Sequence, residues 1–355
     1  MKNFPRLAGR LLALLLVLGS LGLSSCKKDE TTTVYGNWVR GNTFSGTARS
    51  NAVNFVINGV AYVGTGTDAS SARYTNDFFS FTPTTGSWLR LTPFPGVART
   101  NAVAFSAGNF GYVGSGYDGA NYLRDFWKFD PSQNTTNVVS GVTTTTVGKW
   151  SQVADLPVNP GTTGRYNAVA ASIGNFGYVG CGFDGNNEND FYRYDPTANT
   201  WTSIAYPGDK RINAVAFTVN NIMYVGTGTN NGQNVLDFYA YDPSKNSWTI
   251  KRQLANISNS TDSYDNSAVA RSQAVAFSVG NFGYITTGSN GAVTTSCYKY
   301  DPTLDTWTAM NPYLGVGRNG AVAFGIGNLG YVGTGFTGST RLDDFWTFDP
   351  NATQQ

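Results

Sequence analysis

Histidine is absent from all 355 residues. That absence excludes the usual imidazole metal sites, His-dependent nucleophilic triads and the commonest general base. Glutamate is nearly as scarce, since Glu188 in Asn186-Asn187-Glu188-Asn189-Asp190 is the only one after residue 30. A raised carboxyl pKa needs burial or a like-charged neighbour. An Asn-rich loop promises neither, so Glu188 is expected to be an ordinary surface carboxylate. Charged residues are 13% of the chain, and no basic stripe with interleaved aromatics exists, which argues against a nucleic-acid partner. Of three cysteines, Cys181 and Cys297 fall in segments too far apart in the repeat order to be bridged. Both read as small buried apolar residues. With no metal-binding spacing of the EF type, neither a metal nor a cofactor is expected.

What is present begins with an export signal. Lys2, Arg6 and Arg10 precede the apolar stretch Leu11 to Leu23, which is too short and wrongly flanked for a spanning helix. Leu23-Ser24-Ser25-Cys26 follows and resembles a bacterial lipobox, which implies cleavage before Cys26 and its lipidation. Acylation tethers a domain to a membrane without spanning it. Lys27 after the Cys resembles lipoproteins sent onward to an outer membrane. The expected organisation is a signal peptide over 1–25, a lipidated Cys and tether over 26–33, and one β domain over 34–355. Loss of the three leader cations leaves 21 basic against 22 acidic residues, so the basic sequence pI says nothing about partners.

Six copies of one pattern fill the rest. An Arg (Arg49, Arg99, Arg165, Arg211, Arg271, Arg318) leads into a run such as Asn101-Ala102-Val103-Ala104-Phe105, a Gly-Asn turn and a Gly-x-Gly. An Asp at the start of a third strand in five copies (Asp77, Asp125, Asp190, Asp237, Asp344), an Asp-Pro turn in five and a Trp complete the pattern, and the fifth copy has Thr286-Thr287-Gly288 in place of Gly-x-Gly. A period of 46 to 66 residues is in the range of propeller blades. Short apolar runs separated by turn residues make four strands per blade. Trp88, Trp150, Trp201, Trp248 and Trp307 close five repeats, but the same distance from Arg318 reaches residue 354 or beyond. Trp38 lies 11 residues before Arg49, as Trp88 lies 11 before Arg99. The N-terminal segment is therefore expected to supply the outer strand of the last blade, which hides sheet edges.

On these residues the chain resembles the kelch-repeat family over about 34 to 350, with Gly64-Thr65-Gly66 and its counterparts where that family usually has a Gly pair. The fold implied is all-β, a six-bladed kelch-type propeller. Kelch propellers are grouped with galactose oxidase, whose copper centre uses His and Tyr ligands, and a chain without His cannot rebuild that centre. The chain also resembles the six-bladed kelch epimerase acting on N-acetylneuraminate, which implies an acidic sugar as an alternative ligand. Fold alone does not fix activity.

Loops entering the first strands share one face with those after Gly-x-Gly. Two arrangements are open for the six Arg side chains: ties from each blade to its neighbour, or a ring at the channel mouth that pairs with carboxylates or acidic sugars. Tyr117-Asp118-Gly119 and Phe183-Asp184-Gly185 combine an apolar surface with acceptors, as a sugar site needs, though turn chemistry also uses them. Two insertions interrupt the repeat, at 132–149 on the opposite face and at 252–270, with Tyr264, on the Arg face. The third-strand Asp residues are expected at turns or strand ends. The functional expectation is a monomeric, non-catalytic envelope lipoprotein that binds glycan or protein through the Arg face. Alternatives are an acidic-sugar epimerase and a protein scaffold.

Overall fold

The computed structural model describes residues 34–69, 73–140 and 142–355. Among them lie six four-stranded antiparallel sheets, each one blade. The first is Val53–Ile57, Val60–Gly64, Phe78–Thr82 and Ser87–Arg90, ordered from inside to outside. The last pairs Tyr35–Arg40 with Phe345–Thr353, outside Leu329–Gly333 and Val322–Ile326. Trp38 faces Phe348 in that register and is 2% exposed, with its indole N–H donating to Asn311 O at 3.1 Å. The expected closure by an N-terminal strand is what the fold contains. The only helical element among the described residues is the single turn Ser267–Val269.

Apolar residues alternate in the first strands, with Val103, Phe105 and Ala107 buried, because each strand has one face toward the neighbouring blade. The six cores lie between blades: Phe55 and Phe78 of the first pack with Val113 and Phe129 of the second. An inner-strand Phe of one blade covers a Gly of the next. Phe55 lies on Gly111, Phe105 on Gly177, Phe217 on Gly283 and Phe277 on Gly330, so closely that a Cβ at each Gly would collide with the ring. The interface between blades three and four reverses these sizes, with Ala171 in the Phe place and Met223 in the Gly place, in one cluster. Cys297 likewise stands where other blades have a Phe, and it packs in one core with Trp38 and Met310. Cys181 and Cys297 are buried free thiols.

Two rings of backbone hydrogen bonds close around the axis. The N–H of Gly66 donates to Arg99 O, and Gly116, Gly182, Gly228, Gly288 and Gly335 donate to Arg165, Arg211, Arg271, Arg318 and Arg49. Nearer the axis, Asn101 donates to Asn51 O, Asn167 to Asn101, Asn213 to Asn167, Gln273 to Asn213, Gly320 to Gln273 and Asn51 to Gly320. All six of these residues have φ between 51° and 56°, the left-handed region that Asn and Gly enter most readily.

Candidate functional site

The Arg side chains are internal struts. Arg49, Arg99, Arg165, Arg211, Arg271 and Arg318 are each 0% exposed. Arg99 donates from both terminal nitrogens to Asp125, at 2.7 and 2.8 Å, and to Ser115 O at 3.0 Å. Arg49 makes the same fork with Asp77, and Arg318 with Asp344. Arg165 pairs with Asp190, and Arg211 with Asp237. Burial alone would raise the Asp125 carboxyl, but Arg99 and the Trp127 indole outweigh it and hold the acid below its usual range. The ligand-facing arrangement is thereby corrected. A guanidinium with no exposed surface and a carboxylate already in its fork offers nothing to an anion at the mouth. The tie between blades also differs from expectation, because it runs through the Arg carbonyl while the side chain serves its own blade. The recurrent Asp residues begin third strands as expected, with the Arg as the partner that their recurrence left unnamed.

The same face carries an aromatic wall. Tyr74, Tyr117, Tyr122, Tyr166 and Phe183 come from blades one to three and are half-buried. Tyr122 stacks on Tyr166 at 5.2 Å, Tyr117 lies 5.7 Å from Tyr166 and 6.1 Å from Tyr74, and Phe183 meets Tyr122 edge-on at 5.8 Å. Backbone bridges Thr100 to Tyr117 and Tyr166 to Phe183 fix these loops against the entries to the first strands. The Tyr117 hydroxyl donates to Gly119 O at 2.6 Å. No protein partner meets the hydroxyls of Tyr74, Tyr122 or Tyr166 among the described residues. Burial, with Tyr122 and Tyr117 adding to it, raises the Tyr166 phenol, so it remains a neutral donor.

The other expected residues divide. Tyr117 and Phe183 are in the wall. Asp118 is occupied by its own turn, accepting from Ala120 N, Asn121 N and the Asn121 amide. Asp184 is 6% exposed and accepts from the Asn159 amide at 2.9 Å. Tyr264 stays within its own insertion, where its hydroxyl accepts from Gln253 N at 3.1 Å and its ring lies under Arg252. Glu188 departs from expectation: its side chain is 13% exposed, and burial together with the Asp184 charge raises its pKa. Loop folding, invisible in composition, brings the two acids together. Sequence reasoning missed Tyr74, Tyr122 and Tyr166. For Tyr166 the available signal was non-recurrence, because the residue after each Arg is Ser50, Thr100, Tyr166, Ile212, Ser272 or Asn319.

Inside the wall, the channel mouth is a cavity of about 150 Å³ lined by Asn51, Asn101, Asn167, Asn213, Gln273, Gly320 and the alanines after them. Alanine and valine, with Asn54, line a second cavity of about 230 Å³ below. No charged side chain lines either. Among the described residues, no group of three or more acidic or cysteine side chains is placed to hold a metal.

No curated protein matches the chain. The KLHDC2/KLHL20/DRC7 Kelch-repeats domain matches residues 30–212. A kelch propeller, with variable loops on a closed rigid ring, suggests a protein-binding scaffold. The matched span exceeds half of the chain, and together with the six blades it means that this protein belongs to the kelch-repeat family.

Proposed function

We propose that the chain is a non-catalytic binding module that takes a glycan on its aromatic face, held at the bacterial cell envelope by a lipid on Cys26, in the outer membrane, as a monomer. Cys26 lies outside the described residues, and its part in this reading rests on Leu23-Ser24-Ser25-Cys26 after the apolar run. The observation that carries the glycan is the wall of Tyr74, Tyr117, Tyr122, Tyr166 and Phe183. Half-exposed rings supply a surface on which sugar C–H faces stack, and three hydroxyls without protein partners supply donors. No ring position is aromatic in all six blades: Asn187, Asn234, Val293 and Arg341 stand where Tyr74 and Tyr122 do, and Ile212 and Ser272 where Tyr166 does, so the scaffold does not require them.

An acidic-sugar epimerase is favoured by one observation, the raised pKa of Glu188. Against it, the guanidinium groups that would seat a sugar carboxylate are all buried. Proton NMR of the full chain with neutral and acidic sugars separates the readings. Saturation transfer without faster anomer exchange, lost on Tyr122→Ala, supports the binding module. Faster exchange of an acidic sugar, lost on Glu188→Gln, replaces it with the epimerase. No transfer from any sugar favours a protein partner and ends the glycan reading.

A further inference from the structure

The channel mouth carries five carboxamides that the fold does not use. Asn51, Asn101, Asn167, Asn213 and Gln273 commit their backbone N–H groups to the axial ring. Their side chains, half-buried at the mouth, have no hydrogen-bond partner among the described residues. Left-handed φ explains why these positions favour Asn or Gly. It does not require a carboxamide at five of six, since Gly320 fills the sixth at φ 55°. Gly320 also breaks the symmetry: a Cβ there would strike the Asn51 carboxamide oxygen, so Asn51 leans across that place.

We propose that this ring seats one neutral pyranose, the terminal residue of a glycan whose next residues lie along the tyrosine wall. The proposal rests on the glycan reading above and adds where the chain end goes and what charge it carries. Each carboxamide offers two donors and two acceptor lone pairs, the combination that sugar hydroxyls require, since each hydroxyl both donates and accepts. An anion finds no exposed cation in the lining, and a cation finds no carboxylate. Sites for drug-sized ligands occupy about 300–1,000 Å³, so a mouth of about 150 Å³ suits a single ring. The wall abuts one arc of the mouth, because Tyr166 directly precedes Asn167 and Thr100, bridged to Tyr117, directly precedes Asn101. A pyranose stacked near Tyr166 therefore turns its hydroxyls toward Asn101 and Asn167.

The test is titration of the full chain by saturation-transfer NMR with glucose, galactose, mannose and N-acetylglucosamine, and with glucuronate and N-acetylneuraminate. Asn101→Gly/Asn167→Gly deletes two carboxamides while keeping residues that tolerate positive φ. Asn167→Asp keeps the shape and removes both side-chain donors, and a thermal melt checks each fold. The expected result is saturation of at least one neutral sugar, with Kd raised about tenfold or more in both variants, as loss of hydrogen bonds to a desolvated ligand implies. A neutral sugar whose Kd is unchanged in both variants but raised by Tyr122→Ala overturns the axial seat and leaves the wall reading standing. Tighter binding of glucuronate than of glucose overturns the neutral-ring assignment. Silence from all six sugars overturns both this proposal and the glycan reading.

Discussion

The Arg271 guanidinium donates to the Ser296 hydroxyl at 2.9 Å, in the place where each of the other five blades puts an Asp carboxylate. Its other donors go to the carbonyls of Val269, Thr287, Ser296 and Ala268. Ala268 and Val269 belong to the single helical turn that ends the 252–270 insertion. The insertion thus supplies backbone dipoles in place of a charge. Burial lowers the Arg271 pKa, the signature of a cation satisfied but not neutralised.

Ser296→Asp is expected to stabilise the fold by about 1–2 kcal/mol at pH 7, since charge-assisted hydrogen bonds exceed neutral ones. The new carboxyl would have a folded pKa below its unfolded value. Its contribution is therefore full above about pH 4 and lost as pH falls through the folded pKa. Urea unfolding at pH 7 and pH 3 reads both parts.

Asp125→Ala leaves Arg99 buried without its carboxylate, with no inserted turn to take the freed N–H groups. Breaking such a pair costs about 3–5 kcal/mol, and Asp125 is 25% exposed, so the lower end applies. The depressed pKa values of Asp125 and Asp344 make the parent protein lose stability on acidification below about pH 4. The gap between parent and variant in chemical denaturation should narrow as pH is lowered below about 4, and a gap that stays constant from pH 7 into acid would contradict this account.

Ala171 and Met223 exchange the sizes found at other blade interfaces. Met223→Gly opens a cavity and Ala171→Phe overfills the same space, with expected costs of about 2–5 and about 1–3 kcal/mol. The double variant rebuilds the Phe-over-Gly contact of Phe105 and Gly177. It should be more stable than the sum of the single changes by about 1 kcal/mol or more. A double-mutant cycle by calorimetry returns that coupling directly.

Glu188→Gln should raise the melting temperature at pH 7. A carboxyl whose folded pKa is raised stabilises the fold in its protonated form, below the unfolded pKa of about 4.3, and that contribution fades as pH rises through the folded value. The variant's advantage should therefore disappear when melts are repeated at pH 4.

The blades, their number and the closing strand were legible in the sequence because recurrence marks them: Arg, Gly-x-Gly and Trp return in phase, and Trp38 has the spacing of Trp88. Burial of the six Arg side chains was not legible, since the fork between Arg99 and Asp125 joins residues 26 positions apart and depends on how the second strand folds back. Asn101 and Asn167 were read as part of a repeating run and not as an axial ring, because recurrence labels a position without giving its distance from the axis. The tyrosine wall escaped for the opposite reason. Tyr166 has no aromatic counterpart, Tyr74 and Tyr122 share a place that is aromatic in two blades alone, and packing of consecutive blades is what brings them side by side.

Pairing of Tyr35–Arg40 with Phe345–Thr353 also sets a timetable. Trp38 leaves the ribosome among the first residues of the domain and must wait for Phe348, among the last. During that interval a hydrophobic strand has no partner and the outermost sheet has an open edge. Contacts this distant in sequence form slowly, and unpaired edges invite association between chains. Neither hydrogen-bonded circle can close before the final blade is in place, so the risk of association between chains is concentrated in the interval before Phe345–Thr353 docks on Tyr35–Arg40.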